Sequence, residues 1–298
     1  MKISNFQLNK IYKDEFGRIS AILALNKPSG ITSHDLVDKV RKKLKTRRVG
    51  HAGALDPFAT GVMIVLVGKA TKLSQKILNL DKEYEFEILL GISTDTQDPD
   101  GKILKVESPP EIDQAKMSGL ISNFKGAYKQ TVPIFSSIRI NGTRLRELAH
   151  ASTEIERFKK DNDYYAKFTI DKNKPIFQRL LRKTGQRLVS PWLKLNEKGE
   201  ITFQLPRRPV KILSITILGT KKIQGKNLKL KDKRIQPEQE FLILRLVMQV
   251  SKGTYIRQLA EDIGEKLGSI PAMLYSLERT RIGKISKKLV SDLETLKL

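Results

Sequence analysis

Residues 50–62 read Gly50-His51-Ala52-Gly53-Ala54-Leu55-Asp56-Pro57-Phe58-Ala59-Thr60-Gly61-Val62, a run in which one carboxylate stands among glycines and a proline. Glycine lets a backbone bend sharply and approach a ligand closely, and Pro57 fixes the chain directly after the acid. Leu55 and Phe58 are placed to anchor such a loop on a core. Asp56 is thus a candidate catalytic acid on a rigid loop. The competing reading is an Asp-Pro pair that only initiates a turn.

On the N-terminal side, the apolar run Ala21–Asn26 ends at the turn Lys27-Pro28-Ser29-Gly30. Ser33 is then expected to cap a helix whose Leu36, Val37, Val40 and Leu44 share one face. Lys39, Arg41, Lys42, Lys43, Lys45, Arg47 and Arg48 give the remainder a basic surface that runs into the loop, which reads either as a solvated helix face or as an RNA contact. On the C-terminal side, Gly61–Gly68 suits a buried strand or a short helix, Thr71–Leu80 a helix, and the alternating Tyr84–Leu89 a strand with Tyr84, Phe86 and Ile88 on one face. Gly68-Lys69 lacks the remaining residues of a phosphate loop, so nucleotide hydrolysis is not supported. Asp95, Asp98 and Asp100 lie in a loop without the glutamate that closes an EF-hand, which argues against calcium.

Further along, Glu111–Phe124 suits a helix, Ile134–Ile140 is closed by an Asn141-Gly142 turn, and Thr143–His150 begins another helix. Val210–Leu218 and Phe241–Val250 read as strands. The basic segment Lys221–Arg234 between them is expected to project as a hairpin or loop. Thr254–Leu267 has helical periodicity, which places Lys252 to Arg257 at a strand end and helix start, where amides and side chains converge on anions.

The chain has 298 residues, with 56 lysines and arginines against 32 acids, a formal charge of +24. That excess points to a polyanionic partner, nucleic acid first, because phosphate neutralisation gives strong attraction. There are no cysteines and three scattered histidines (His34, His51, His150), so neither disulfides nor an obvious metal site is expected. No targeting segment is visible at the start, and the apolar runs fall short of the ~20 residues of a membrane helix. The expectation is a soluble, cytoplasmic protein without metal or cofactor.

Residues 50–62 resemble the signature of the TruB family of tRNA pseudouridine synthases, G-H-x-G-x-L-D-P-x-A-x-G, matched at His51, Gly53, Leu55, Asp56, Pro57, Ala59 and Gly61. Lys27-Pro28-Ser29-Gly30, Lys82-Glu83-Tyr84 and Ser251-Lys252-Gly253-Thr254-Tyr255-Ile256-Arg257 agree with further family blocks in the same order. The similarity spans roughly 20–150 and 207–285. Phe135, Ser137, Arg146 and His150 depart from the family's pattern.

The resemblance implies an α+β pseudouridine-synthase fold, a mixed and largely antiparallel sheet flanked by helices, with an inserted subdomain. One catalytic domain is expected over 1–298, interrupted by a basic, aromatic-containing insertion at 151–208, with no C-terminal PUA domain evident. The insertion carries Lys159, Lys160, Lys167, Arg179, Arg182, Lys183 and Arg187 with Tyr164, Tyr165, Phe177 and Trp192. It reads equally as a surface for RNA phosphates and bases or as a subdomain whose aromatics form its own core.

The implied activity breaks the N1–C1′ bond of a flipped uridine at tRNA position 55, turns the base and joins C5 to C1′, needing no cofactor. Asp56 is the implied nucleophile, Arg257 its partner, and Tyr84 the residue stacked on the base and the candidate for removing the C5 proton. His51 would lie beside the flipped nucleotide, with Lys27, Pro28, Leu55, Lys252 and Tyr255 lining or supporting the pocket. An aspartate, with a reference pKa of ~3.9, is ionised at neutral pH without a neighbouring base. The implied partner is the T-arm stem-loop of tRNA, bound by a monomer without guide RNA or membrane. Two other readings remain: an RNA chaperone or ribosome-associated protein on the same fold, and a guide-RNA-dependent relative of dyskerin.

Overall fold

The computed structural model describes residues 6–140, 142–161, 163–184, 196 and 198–293. The chain forms two compact units, one of residues 1–128, 210–256 and 260–298, the other of residues 129–209 and 257–259.

The first unit is built on a large sheet. In chain order its first elements are β1 (Tyr12–Lys13), β2 (Ile19–Lys27), α1 (Ser33–Lys43), β3 (Val49–His51), β4 (Thr60–Val67), α2 (Ser74–Leu78) and β5 (Lys82–Leu90). A small antiparallel pair, β6 (Ile92–Thr94) and β7 (Ile103–Val106), and α3 (Gln114–Ser122) follow. The strands run β1-β2-β4, and later strands described below complete the sheet around β5. Burial explains the choice of strand over helix at β4: Val62 to Val67 are all within 1% of fully buried, as a strand covered on both faces requires.

Helix α1 buries Leu36, Val37 and Val40 against Ala21, Leu23, Leu25, Met63 and Val65 of the sheet. Its cap is Thr32 and not Ser33: Thr32 and Asp35 form a reciprocal capping box. Ser33 is released for another task, taken up below. The expected helix over Thr71–Leu80 is split, because Gly68–Leu73 winds as a tighter 3₁₀ turn before α2 begins. Helix α3 starts three residues later than expected, where the Asp113 carboxylate accepts from the Lys116 amide at 2.7 Å.

The second unit begins within β8 (Gly126–Thr131) and continues through the hairpin β9 (Arg139–Ile140) and β10 (Thr143–Arg144), α4 (Leu145–His150), β11 (Ser152–Lys160), β12 (Asp163–Ile170), α5 (Pro175–Thr184) and β13 (Glu200–Gln204). Thr143 and Arg144 pair as strand, so α4 starts at Leu145 and not Thr143. Only Arg139 and Ile140 of the expected 134–140 run belong to the hairpin, and Asn141 of its turn lies outside the described residues. Strands β11, β12 and β13 form an antiparallel sheet whose inner face carries Ala166, Phe168, Ile170, Ile201 and Phe203. The Phe168 and Phe203 rings stack at 5.5 Å, so these two aromatics build a core. Phe158 and Tyr165, also stacked, stand on the other face, half-buried. Arg187 and Trp192 lie outside the described residues.

The chain returns to the first unit with β14 (Arg207–Gln224), β15 (Glu240–Val250), α6 (Ile256–Lys266), β16 (Ala272–Ile282) and β17 (Ile285–Ser286). The sheet order through this unit is then β1-β2-β4-β16-β5-β15-β14, with β17 beside β16 and β3 beside β4. From β2 to β14 the neighbouring strands in this order are antiparallel except β4 with β16. The Lys221–Arg234 segment does not project as expected. β14 stays paired with β15 as far as Gln224, Leu228 packs in the core beside Phe241 and Met273, and the Arg234 guanidinium donates to the carbonyls of Ile103 at 2.7 Å and Leu104 at 3.1 Å.

Gly61 shows how tightly β4 meets β16. Its φ is +105°, and a Cβ there would lie 2.3 Å from the Arg279 carbonyl oxygen, whereas a Cβ on Gly119 in α3 meets nothing within 4 Å. Gly61→Ala is therefore expected to lower unfolding free energy by at least about 2 kcal/mol, and Gly119→Ala to raise it by about 0.5–1 kcal/mol. Urea unfolding of the two variants checks both signs.

Candidate active site

Strand β4 offers one edge to β2 along its length and divides the other between two partners. Thr60 and Gly61 pair with Glu278 and Arg279 of β16, while Val65 to Val67 pair with β3. The sheet forks where β16 departs, and the connection from β3 back to β4, residues 52–59, starts in that fork. Asp56 is carried on this connection.

Register across the strands aligns the residues around it. Lys27 of β2 faces Gly61 of β4, Gly61 faces Arg279 of β16, Arg279 faces Tyr84 of β5, and Tyr84 faces Met248 of β15. Residues directly opposite one another point to the same face of a sheet, and neighbouring strands lie about 4.8 Å apart. Arg279 and Tyr84 therefore share one face, and the register places Lys27 in the same row across Gly61.

Both cations are buried, Lys27 at 0% and Arg279 at 1% exposure. Lys27 Nζ donates to the carbonyls of Pro28 (2.8 Å), Ile31 (2.8 Å) and Pro57 (3.1 Å), which accounts for all three of its protons. Arg279 donates from Nε to Val62 O at 2.7 Å, from Nη2 to Gly53 O at 3.1 Å and from Nη1 to Ala54 O at 3.4 Å. One cation thus grips the chain just after Asp56 and the other grips it just before. Ser33 adds a third hold: its hydroxyl accepts from the Leu55 amide at 2.8 Å and donates to the Leu55 carbonyl at 3.0 Å. Gly30 N–H donates to Pro57 O at 2.9 Å, Ser29 Oγ donates to Phe58 O at 3.0 Å, and within the loop Ala59 N–H donates to Asp56 O at 3.1 Å. With Leu55 buried, the half-exposed Asp56 side chain stands on a backbone fixed from both sides.

Tyr84 is 8% exposed, on the buried face of β5 with Phe86 and Ile88. His51 ends β3; burial, with the positive charges of Arg279 and His34, lowers its pKa and keeps the imidazole neutral. Its Nδ1 is buried with no hydrogen-bond partner among the described residues. Pro28 is exposed and contributes its carbonyl to Lys27. Lys252 Nζ donates to Asn79 Oδ1 at 3.0 Å. Tyr255 is the N-cap residue of α6, and Arg257, 6% exposed in the first turn of that helix, donates to the Phe135 carbonyl at 3.0 Å. Among the described residues no cluster of histidines and acids could hold a metal ion, and no helix is long and apolar enough to cross a membrane.

Sequence reasoning missed Arg279, Ser33 and Lys82 as contributors. Arg279 sits in an ordinary strand pattern, where nothing local marks a charge as buried. Lys82 belongs to the Lys82-Glu83-Tyr84 block and donates to the carbonyls of Leu78 and Leu80, both at 2.6 Å, closing the end of α2. Burial pushes its pKa down to about 8.

Comparison with known proteins bears on the family and the fold. The model of the TruB family pseudouridylate synthase N-terminal domain matches residues 41–184. The tRNA pseudouridine synthase B of Bacillus subtilis strain 168 is 33% identical over 271 residues, covering 90% of this chain and 67% of that protein. The chain belongs to the TruB family. The protein of the same name from Opitutus terrae is 45% identical over 139 residues, covering 47% of this chain and 58% of its own. The chain thus spans about two thirds of the length of the Bacillus relative and less of the Opitutus one. In fold, it superimposes on a chain of a Cbf5-Nop10-Gar1 complex with a TM-score of 0.53 at 21% identity, over 92% of this chain and 52% of that one. The TruB fold expected from the sequence, α+β on a largely antiparallel mixed sheet, is the fold found.

The pH response of the clamp is open to test. Burial pushes the Lys27 ammonium down to about 8; the nearby Asp56 carboxylate opposes the shift and Arg279 adds to it. In the unfolded chain a lysine holds its proton to ~10.4. Between pH 8 and 10 the unfolded state binds more protons than the native state, so Lys27 makes stability rise with pH across that window. Lys27→Met is expected to be less stable and to lose as much as about 1.4 kcal/mol per pH unit from that slope. Urea unfolding at several pH values checks this, and equal slopes in the two proteins would contradict it.

Proposed function

We propose that this chain isomerises uridine to pseudouridine in the T arm of tRNA, at position 55, with Asp56 as nucleophile and without guide RNA. The observation that carries the reading is the double grip on residues 53–57: Arg279 before Asp56 and Lys27 after it, in register with Tyr84. Pseudouridine formation needs a carboxylate held in a fixed place against a nucleotide removed from its helix, and little else, because nothing is added or lost overall. Preorganised geometry of this kind is worth more to such a reaction than any additional reagent.

In the proposed reaction the N1–C1′ bond of the flipped uridine breaks with participation of the Asp56 carboxylate. The detached base turns, and C5 bonds to C1′. The proton then leaves C5 and N1 regains one, so the product is an isomer of the substrate. Arg257 pairs with Asp56 and orients it, Tyr84 stacks against the base and takes the C5 proton, and His51 lies beside the flipped nucleotide. Lys252 and Tyr255 border the pocket with Pro28. Lys27 and Leu55, being buried, act beneath the loop instead of on the substrate. Flipping costs a few kcal/mol, which phosphate contacts and stacking offset. The chain's +24 charge favours such contacts.

The proposed protein works as a cytoplasmic monomer. The segment 151–208 is proposed as a basic insertion that helps grip the tRNA. The relatives named tRNA pseudouridine synthase B support tRNA as substrate.

Asp56→Asn tests the reading. The exchange preserves size and removes the charge, so pseudouridine formation in a T-arm stem-loop is expected to fall by at least about 10⁴-fold with RNA affinity within about threefold of the parent. Pseudouridine mapping and filter binding read the two quantities. A variant that still forms pseudouridine at the parent rate would overturn the assignment, and a parent that binds RNA without ever modifying it would favour a chaperone.

A further inference from the structure

Beside the Asp56 loop, on the first unit, lies a second recess. Arg47, Arg48, Val49, Gly50, His51, Leu66, Thr71 and Ser74 line a cleft of about 360 Å³. Its walls carry two guanidinium groups, two hydroxyls and an imidazole, and no carboxylate. Elsewhere on this unit several bases have acid partners: Arg18 with Asp14, Arg245 with Glu85, Arg281 with Glu83 and Lys222 with Glu240. Here Arg48 Nε donates to a hydroxyl, Thr71 Oγ1, at 3.2 Å.

Thr71 Oγ1 in turn donates to Gly68 O at 2.8 Å, so the acceptor that orients the guanidinium is itself fixed. Arg48 is tied into the backbone as well, since its carbonyl accepts from the Gly68 amide at 2.8 Å. The floor is the strand Val49–His51, where Gly50 leaves open space: a Cβ there would meet nothing within 4 Å. His51, whose Nδ1 has no hydrogen-bond partner among the described residues, also lines the cleft. The imidazole is held neutral, so the positive charge of the cleft comes from the arginines. An oriented guanidinium beside hydroxyls, in a recess free of acids, is suited to a phosphate, which Arg can bind in a two-pronged geometry.

We infer that this cleft is a seat for a backbone phosphodiester of the same RNA that presents its uridine to Asp56, with Arg48 as the principal contact and Thr71 as its positioning residue. The inference rests on the proposed function and goes beyond it by naming where the flanking chain is held. Strand β3 connects the two places directly, cleft at residues 47–51 and acid at 56, so a polynucleotide with one nucleotide at the acid has neighbouring phosphates within reach of the cleft. Such a contact fixes register and carries no sequence information.

The test uses the full chain and a T-arm stem-loop, with Kd measured across a salt series for the parent, Arg48→Gln and Arg48→Lys. Loss of one phosphate contact is expected to reduce the slope of log K against log salt by about 0.7–0.9 in R48Q, with R48K retaining it. Stem-loops carrying a single neutral methylphosphonate in turn at each position near the target uridine supply the second reading. One position that weakens binding by the parent is expected to have no further effect on R48Q. If the parent modifies the stem-loop and R48Q keeps both its slope and its methylphosphonate profile, the cleft assignment is overturned and the proposed function stands. A parent that neither binds nor modifies the stem-loop overturns both.

Discussion

Two buried positive charges, Lys27 and Arg279, lie under the loop that carries Asp56, and the remainder of the site depends on how they are satisfied. Taking a cation out of water is costly unless its protons find acceptors. Lys27 and Arg279 find them in main-chain carbonyls, among them Pro57 directly after Asp56 and Gly53 and Ala54 shortly before it. Burial of the charges and the shape of the loop are therefore one constraint: a loop of another shape would leave buried cations without acceptors. This ties the position of a half-exposed acid to the free energy of folding.

The sheet makes that arrangement available. Lys27, Arg279 and Tyr84 come from three strands far apart in sequence, and register alone puts them in one row. Because side chains alternate along a strand, a slip of one residue in β16 would turn Arg279 to the opposite face and empty the row. β5 illustrates the division between faces: Lys82, Tyr84, Phe86 and Ile88 are buried, while Glu83 and Glu85 lie on the other side, paired with Arg281 and Arg245 at 2.5 Å. That second face is a lattice of opposite charges, with acids and bases in mutual contact. The Arg47–Arg48 edge of the site lacks such acids among its lining, so the excess of positive charge is left to act there.

Much of this was legible in the sequence, and the exceptions have physical causes. The Gly50–Val62 stretch disclosed a bent loop with an acid, the alternation at Tyr84–Leu89 gave a strand of the right facing, and the periodicity of Leu36, Val37, Val40 and Leu44 gave α1 its buried stripe. Cap identity was off by one residue at Ser33 because both Thr32 and Ser33 are capping types, and only tertiary structure shows that the Ser33 hydroxyl is engaged by Leu55. The Lys221–Arg234 segment looked like a projecting loop from its charge. Yet Leu228 and the Arg234 contacts to Ile103 and Leu104 fold it back, contacts that depend on residues more than a hundred positions away. Arg279 was overlooked for the same reason: an arginine in an alternating strand is ordinarily solvated, and its burial follows from the fork between β4 and β16.

The most direct measurement is the single-turnover rate of Arg279→Lys on a T-arm stem-loop, with stem-loop affinity and urea stability measured alongside. Lysine retains the charge but lacks the planar fork that reaches Gly53, Ala54 and Val62 together. A displacement of the acid by about 1 Å is enough to cost roughly 100-fold in rate. The account predicts a loss of about that size in the chemical step, with affinity nearly unchanged and the protein still folded. A folded Arg279→Lys protein that turns over at the parent rate would contradict the claim that this buried guanidinium sets the position of Asp56.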